Sequence, residues 1–82
     1  MDKIIEDLKK EHDFVVRTFK NYHSYHEGFA VIKEELDELW DEVKGGQDKS
    51  LMYKEAIQVM STAMRFILDL VNIEGVKNGK RN

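Results

Sequence analysis

The stretch SYHEGFAVIKEELDELWDEVKGG, residues 24–46, decides the fold. Its opening, Ser24-Tyr25-His26-Glu27, has the serine-to-glutamate spacing of a capping box, which satisfies N–H groups that a helix start leaves unpaired. Its close, Gly45-Gly46, stops a helix, because glycine accepts the left-handed conformation such an ending uses. Between them Phe29, Ile32, Leu36, Leu39, Trp40 and Val43 share one face at about 100° per residue. The segment is therefore an amphipathic helix ending near Lys44. Glu35, Glu38 and Glu42 follow one another along an edge of that face. Like charges at spacings of three and four repel by a few tenths of a kcal/mol per pair, a cost that water or a cation relieves.

Two more helices flank this one. Upstream, Met1, Ile4, Ile5, Leu8, Val15, Val16, Phe19 and Tyr22 gather on one side, which predicts a helix from about Asp2 to Lys20. Lys20 to Ser24 is a polar connection. Downstream, Gln47 to Lys49 is a turn, Ser50 is placed to cap a third helix, and Gly75 to end it after Glu74. The apolar residues of this third helix, Met52, Ala56, Ile57, Val59, Met60, Ala63, Met64, Phe66, Ile67, Leu68, Leu70 and Val71, cover well over half its circumference. Its remaining strip holds Glu55, Gln58, Thr62, Arg65 and Asp69. A helix apolar nearly all round is buried on more than one side. Three short helices can hardly enclose it, so a second subunit is expected to complete the cover, leaving the polar strip to line a cleft.

Composition agrees with an all-α fold. There is no proline among the 82 residues, and strong helix formers are plentiful. A chain this short buries only a little over about 60% of its unfolded surface, so its stability margin is narrow. The absence of cysteine excludes disulfide staples and thiolate zinc sites, leaving oligomerisation and a carboxylate-bound metal as natural supports. A net charge of −3 argues against a nucleic-acid polymer as partner. No apolar run approaches the length of a membrane span and the N-terminus is no signal peptide, so a cytoplasmic protein is expected. Residues 1–75 form one domain, and 76–82, with Lys77, Lys80 and Arg81, a flexible basic tail.

Two carboxylate motifs on separate helices, Glu34-Glu35-Leu36-Asp37-Glu38 and Glu55-Ala56-Ile57-Gln58, can converge on one hard cation. Magnesium takes oxygen ligands and keeps several waters, so a few glutamates facing a cleft are chemically sufficient. The plain alternative is a solvated acidic face. Other residues divide similarly. Lys33 and Lys54 can meet phosphates or stay solvated. Arg65 can grip a phosphate or pair with Asp69 or Glu55. Trp40 can stack a base, although tryptophan on an apolar face is more often core. His12 reads as a satisfied core or interface histidine. His23 and His26, lacking a third ligand at zinc spacing, read as capping-loop residues. The methionines, three of four on the third helix, read as adaptable core packing.

The two acidic motifs, with His26-Glu27-Gly28-Phe29-Ala30-Val31-Ile32-Lys33 before the first and Leu39-Trp40-Asp41-Glu42-Val43 after it, resemble the all-α nucleoside triphosphate pyrophosphohydrolases. The likeness, over roughly Tyr25 to Leu70, is to the small MazG-like group related to the dimeric dUTPases. That family's pattern is a doubled glutamate, two residues, a glutamate, a gap, then Glu-x-x-Asp. The resemblance implies a three-helix subunit in an oligomeric helical bundle, dimer or tetramer, with Mg²⁺ (or Mn²⁺) between the second and third helices. It implies cleavage of nucleoside triphosphates between the α- and β-phosphates. Glu35 and Glu38 then correspond to metal-binding and catalytic glutamates, Glu55 to the glutamate of the second half, and Glu34 to the more variable first member of the pair. Lys33, Glu34, Lys54, Arg65 and Trp40 are the candidate substrate contacts. Gln58 stands where the family has aspartate; its amide oxygen can ligate a hard cation but brings no charge. That departure supports the alternative of a non-catalytic nucleotide-binding or structural helical dimer.

Overall fold

The computed structural model describes residues 1–71, all helix and connection with no strand among them. The elements are α1 (Asp2–Thr18), α2 (Tyr25–Lys44) and α3 (Lys49–Phe66), which runs on into a π-helical turn (Ile67–Val71). The expected end of the third helix near Glu74, the stop at Gly75 and the basic tail lie outside the described residues.

Local chemistry fixes most boundaries. Ser24 caps α2, its hydroxyl accepting from the Glu27 N–H at 3.0 Å, while the Glu27 carboxylate accepts from the His23 N–H. The first helix stops two residues before the expected Lys20: Phe19 is extended and its N–H closes the last turn on the Val15 carbonyl. At the α2 terminus Gly45 keeps a negative φ of −89°, and the left-handed position falls on Gln47, φ 56°, whose N–H reaches the Glu42 carbonyl at 3.1 Å. The glycine pair ends the helix, but not by the left-handed geometry expected of it. Asp48, not Ser50, caps α3, accepting from the Leu51 N–H at 3.1 Å. A carboxylate there also meets the positive end of the helix dipole, an advantage a serine lacks.

Both α1 and α2 pack on α3, and they barely touch each other. What α3 turns toward them is its polar strip: Ser61, Thr62 and Arg65 are buried there beside Ile57. Of these, Arg65 is tied to the α1–α2 connection, and the Thr62 hydroxyl donates to the Val59 carbonyl of its own helix at 2.9 Å. Arg65, 6% exposed, donates to the Lys20 carbonyl at 2.7 Å, stands 3.8 Å from Asp69, and lies 4.2 Å over the Tyr22 ring. Tyr22 in turn donates its N–H to Asp69 at 3.2 Å and its hydroxyl to the Thr62 carbonyl at 3.3 Å. At the other end Tyr53 donates to Asp7 at 2.6 Å, holding α1 to the start of α3. Gly28 permits the close approach of α2 to the end of α3, since a Cβ there would stand 2.7 Å from the Phe66 ring.

The apolar stripe of α2 is only partly covered by this packing, with Ile32, Leu39 and Val43 half-buried and its other edge open. Phe29, Leu36 and Trp40 are 62%, 52% and 55% exposed, so Trp40 is not the core residue its position suggested. It sits in the open with the Lys44 ammonium 5.9 Å from its ring. The more covered side of α2 carries Gly28, Val31, Ile32, Glu35, Leu39, Glu42 and Val43. Only Val15, Tyr22 and Ile57 are buried hydrophobic residues among those described, while Met60, Ile67 and Leu68 of α3 and its π-turn are also open. No helix among the described residues is long and apolar enough to cross a membrane.

The Arg65 clasp gives a stability test. Arg65→Leu leaves Asp69 and the Lys20 carbonyl without their partner, and loss of a buried charged hydrogen bond costs about 2–3 kcal/mol. Urea denaturation should show that loss. A midpoint equal to the parent's contradicts a structural role for this arginine.

Candidate functional site

Three turns of two helices build the acidic centre. On α2, Glu35 and Glu38 lie three residues apart and so stack one above the other on the side facing α3. On α3, Glu55 stands opposite, with Gln58 one turn further along. Ligand atoms of Glu35, Glu38 and Glu55 all lie within 4.8 Å of one another. Glu35 and Glu55 are half-buried and Glu38 is exposed, so the centre is open to solvent on one side.

Such convergence is electrostatically unfavourable. Burial, then the charges of Glu38, Glu55 and Glu34, push the Glu35 carboxyl up to about 7. Burial, then Glu38, raises Glu55 as well, against the Lys54 ammonium, which lowers it. Gln58 offsets part of the repulsion. The hydrogen-bond network assigns its amide nitrogen to the carboxylates, where it donates to Glu35 at 3.0 Å and to Glu55 at 3.1 Å. In that orientation Gln58 is a donor bridging two helices, and to serve as a ligand its amide must turn over. The donor set of three carboxylates fits a hard divalent cation, which takes oxygen ligands and tolerates retained waters.

The other sequence candidates scatter. Glu34 is exposed and flanks Glu35 on the side toward α1. Lys33 is exposed and paired with Asp37 at 3.3 Å, an i,i+4 contact in solvent. Lys54 is exposed beside Glu55. Arg65 is committed to the clasp with Lys20, Tyr22 and Asp69. His23 and His26 are exposed at the α2 start, with His23 3.8 Å from Glu27. His12 departs from the satisfied histidine expected: its Nδ1 is buried without a partner among the described residues.

A cleft of about 650 Å³ opens beside the acidic centre, between α1 and α2, with α3 as its floor. Glu35 belongs to both, and Gln58 lines the cleft while bonding to Glu35 and Glu55. Ser61, which lies on the floor and is one of its most enclosed residues, went unnoticed in the sequence. It sits three residues after Gln58 and four before Arg65, so the helical period of the polar strip already contained it. Compared with known proteins, the chain matches no family model, no curated sequence and no solved structure.

The raised Glu35 pKa fixes a pH dependence. A carboxyl whose folded pKa exceeds its unfolded value holds its proton more tightly in the folded state. Its stabilisation is complete below the ordinary value of 4.5 and is lost as pH rises through about 7. In chelator-treated protein the melting temperature should therefore fall by several degrees between about pH 5 and about pH 8. Glu35→Gln should flatten that fall. A melting temperature that stays level or climbs in the parent contradicts the crowding of these carboxylates.

Proposed function

We propose that the chain is an Mg²⁺-dependent nucleoside triphosphate pyrophosphohydrolase, converting a triphosphate and water into the monophosphate and pyrophosphate. One observation carries this reading: glutamates of both acidic motifs, on two different helices, bring ligand atoms within 4.8 Å of one another. That is the arrangement implied by the resemblance of Glu34–Glu38 and Glu55–Gln58 to the MazG-like enzymes.

Glu35, Glu38 and Glu55 would hold the cation. A divalent ion there supplies neutralisation of phosphate charge and polarisation of the phosphoryl group. The chain's own residues supply the rest. Whichever of Glu35 and Glu38 is not engaged by the cation accepts the proton of the attacking water, whose oxygen bonds to phosphorus on one side of the α–β bridge as the bond from that phosphorus to the bridging oxygen breaks.

The same reading includes a homo-oligomer, dimer or tetramer. Phe29 and Trp40 are more than half exposed on the outer stripe of α2. Together they present roughly 250 Å² of ring surface, a substantial part of the about 800 Å² that each partner brings to an ordinary interface.

Purified protein should release pyrophosphate from at least one common or modified nucleoside triphosphate in the presence of Mg²⁺ or Mn²⁺. Glu35→Ala and Glu38→Ala should lower the rate by at least about 100-fold, more than loss of a residue that merely supports a ligand, with helicity by circular dichroism unchanged. Absence of turnover across the panel removes the enzyme reading.

A second reading, a non-catalytic module that keeps the fold, is favoured by Gln58, whose amide bridges Glu35 and Glu55 without any cation. Gln58→Asp separates the two. If the centre takes a divalent ion, the variant should melt lower than the parent in chelator and gain more stability on adding Mg²⁺, because a ligand specific to the folded state raises apparent stability. A melting temperature indifferent to Mg²⁺ in both proteins selects the structural module.

A further inference from the structure

The cleft between α1 and α2 has features that the acidic centre does not explain. It exists because α1 and α2 rest on α3 without closing on each other. Its volume of about 650 Å³ falls in the range of small-molecule sites, roughly 300–1,000 Å³. Its walls include Phe14, Phe19 and Val31, large apolar groups from three segments of the chain. On its floor Ser61 is 1% exposed, and its hydroxyl has no hydrogen-bond partner among the described residues. A buried hydroxyl left unpaired costs about 1–3 kcal/mol, which an occupant able to pair with it would recover.

Charge narrows the occupant. Glu11, Glu27, Glu34 and Glu35 line the cleft against a single lysine, Lys20, and the one arginine on its wall, Arg65, is already spent on the Lys20 carbonyl, Asp69 and the Tyr22 ring. An anion is therefore repelled from the interior, and phosphate belongs outside it. A flat, uncharged ring meets the opposite conditions: apolar faces for Phe14, Phe19 and Val31, and a polar edge for Ser61. Glu35 and Gln58 lie on the boundary shared with the acidic centre, so one ligand can span both.

We propose that this cleft is a separate subsite for the uncharged heteroaromatic end of the ligand, with Ser61 Oγ hydrogen-bonding the polar edge of the ring. Its assignment to a nucleobase rests on the nucleotide reading above; Trp40, open to solvent on the far stripe of α2, is not part of it.

Phosphate-free nucleosides test the cleft without the metal or the reaction. The parent, isotopically labelled and kept in chelator, is titrated with the common ribo- and deoxyribonucleosides up to about 10 mM, the range of weak fragment affinity, and followed by amide chemical shifts. At least one nucleoside should move the resonances of Val15, Val31, Ser61 and Thr62. Ser61→Ala should weaken that nucleoside about tenfold, the size of one net hydrogen bond, and should leave the melting temperature unchanged or raised. Val31→Trp, which fills the cleft from another wall, should abolish the shifts. The subsite is overturned if no nucleoside moves these resonances, or if Ser61→Ala binds like the parent. It is also overturned if Ser61→Ala mainly lowers stability, as a purely structural serine would. Nucleoside binding without pyrophosphate release sinks the enzyme and leaves the cleft standing. Pyrophosphate release with the same KM in Ser61→Ala sinks the cleft and leaves the enzyme.

Discussion

The packing of α1 and α2 onto the polar strip of α3 is the constraint from which the rest of the molecule follows. Helices normally meet along apolar stripes. Here the strip that faces inward carries Gln58, Ser61, Thr62 and Arg65, with Glu55 at its edge. Buried polar groups are tolerable only when they find partners. Arg65 finds its partner in the connection at Lys20 and the Thr62 hydroxyl in the Val59 carbonyl of its own helix, while Tyr22 ties the connection to the Thr62 carbonyl and so fixes the angle at which α1 leaves α3. Glu35 and Glu55 find theirs in Gln58, which fixes the separation of α2 from α3. The same constraint turns Phe29, Leu36 and Trp40 outward.

This division of labour separates two surfaces that a small bundle usually merges. The interior of the chain is committed to polar positioning, and the apolar surface that should supply stability is left on the outside. A chain with three buried hydrophobic residues among those described is weakly held by its own core, since each large side chain contributes about 1.5–3 kcal/mol when buried. The crowding of Glu35, Glu38 and Glu55 weakens it further.

Most elements were legible in the sequence because their signals are local. The Ser24–Glu27 box and the Gly45-Gly46 stop set α2 to within a residue, and spacing put Glu35 and Glu38 on one side of it, whereas their meeting with Glu55 was implied only by the resemblance. The misses came from tertiary context. Trp40 lies on a correct apolar face, but periodicity cannot say which face the chain itself covers. Ser50 and Asp48 are both good caps, and only the path of the turn chose between them. Gln58 was legible as a neighbour of the glutamates, but whether its amide accepts or donates depends on what lies opposite. Ser61 was hidden by its small size within a strip read for its charged members.

The π-helical turn at Ile67–Val71 makes the end of the third helix sensitive to length as much as to composition. Such a turn holds one residue more than the regular winding, as a single-residue insertion into an α-helix does. Deleting one residue between 67 and 71 would restore ordinary winding and change the register of the turn against Tyr22. Asp69, the acceptor for the Tyr22 N–H, would be carried away from the connection it anchors. Variation among related chains should therefore be tolerated here as exchange of side chains and resisted as a change in count.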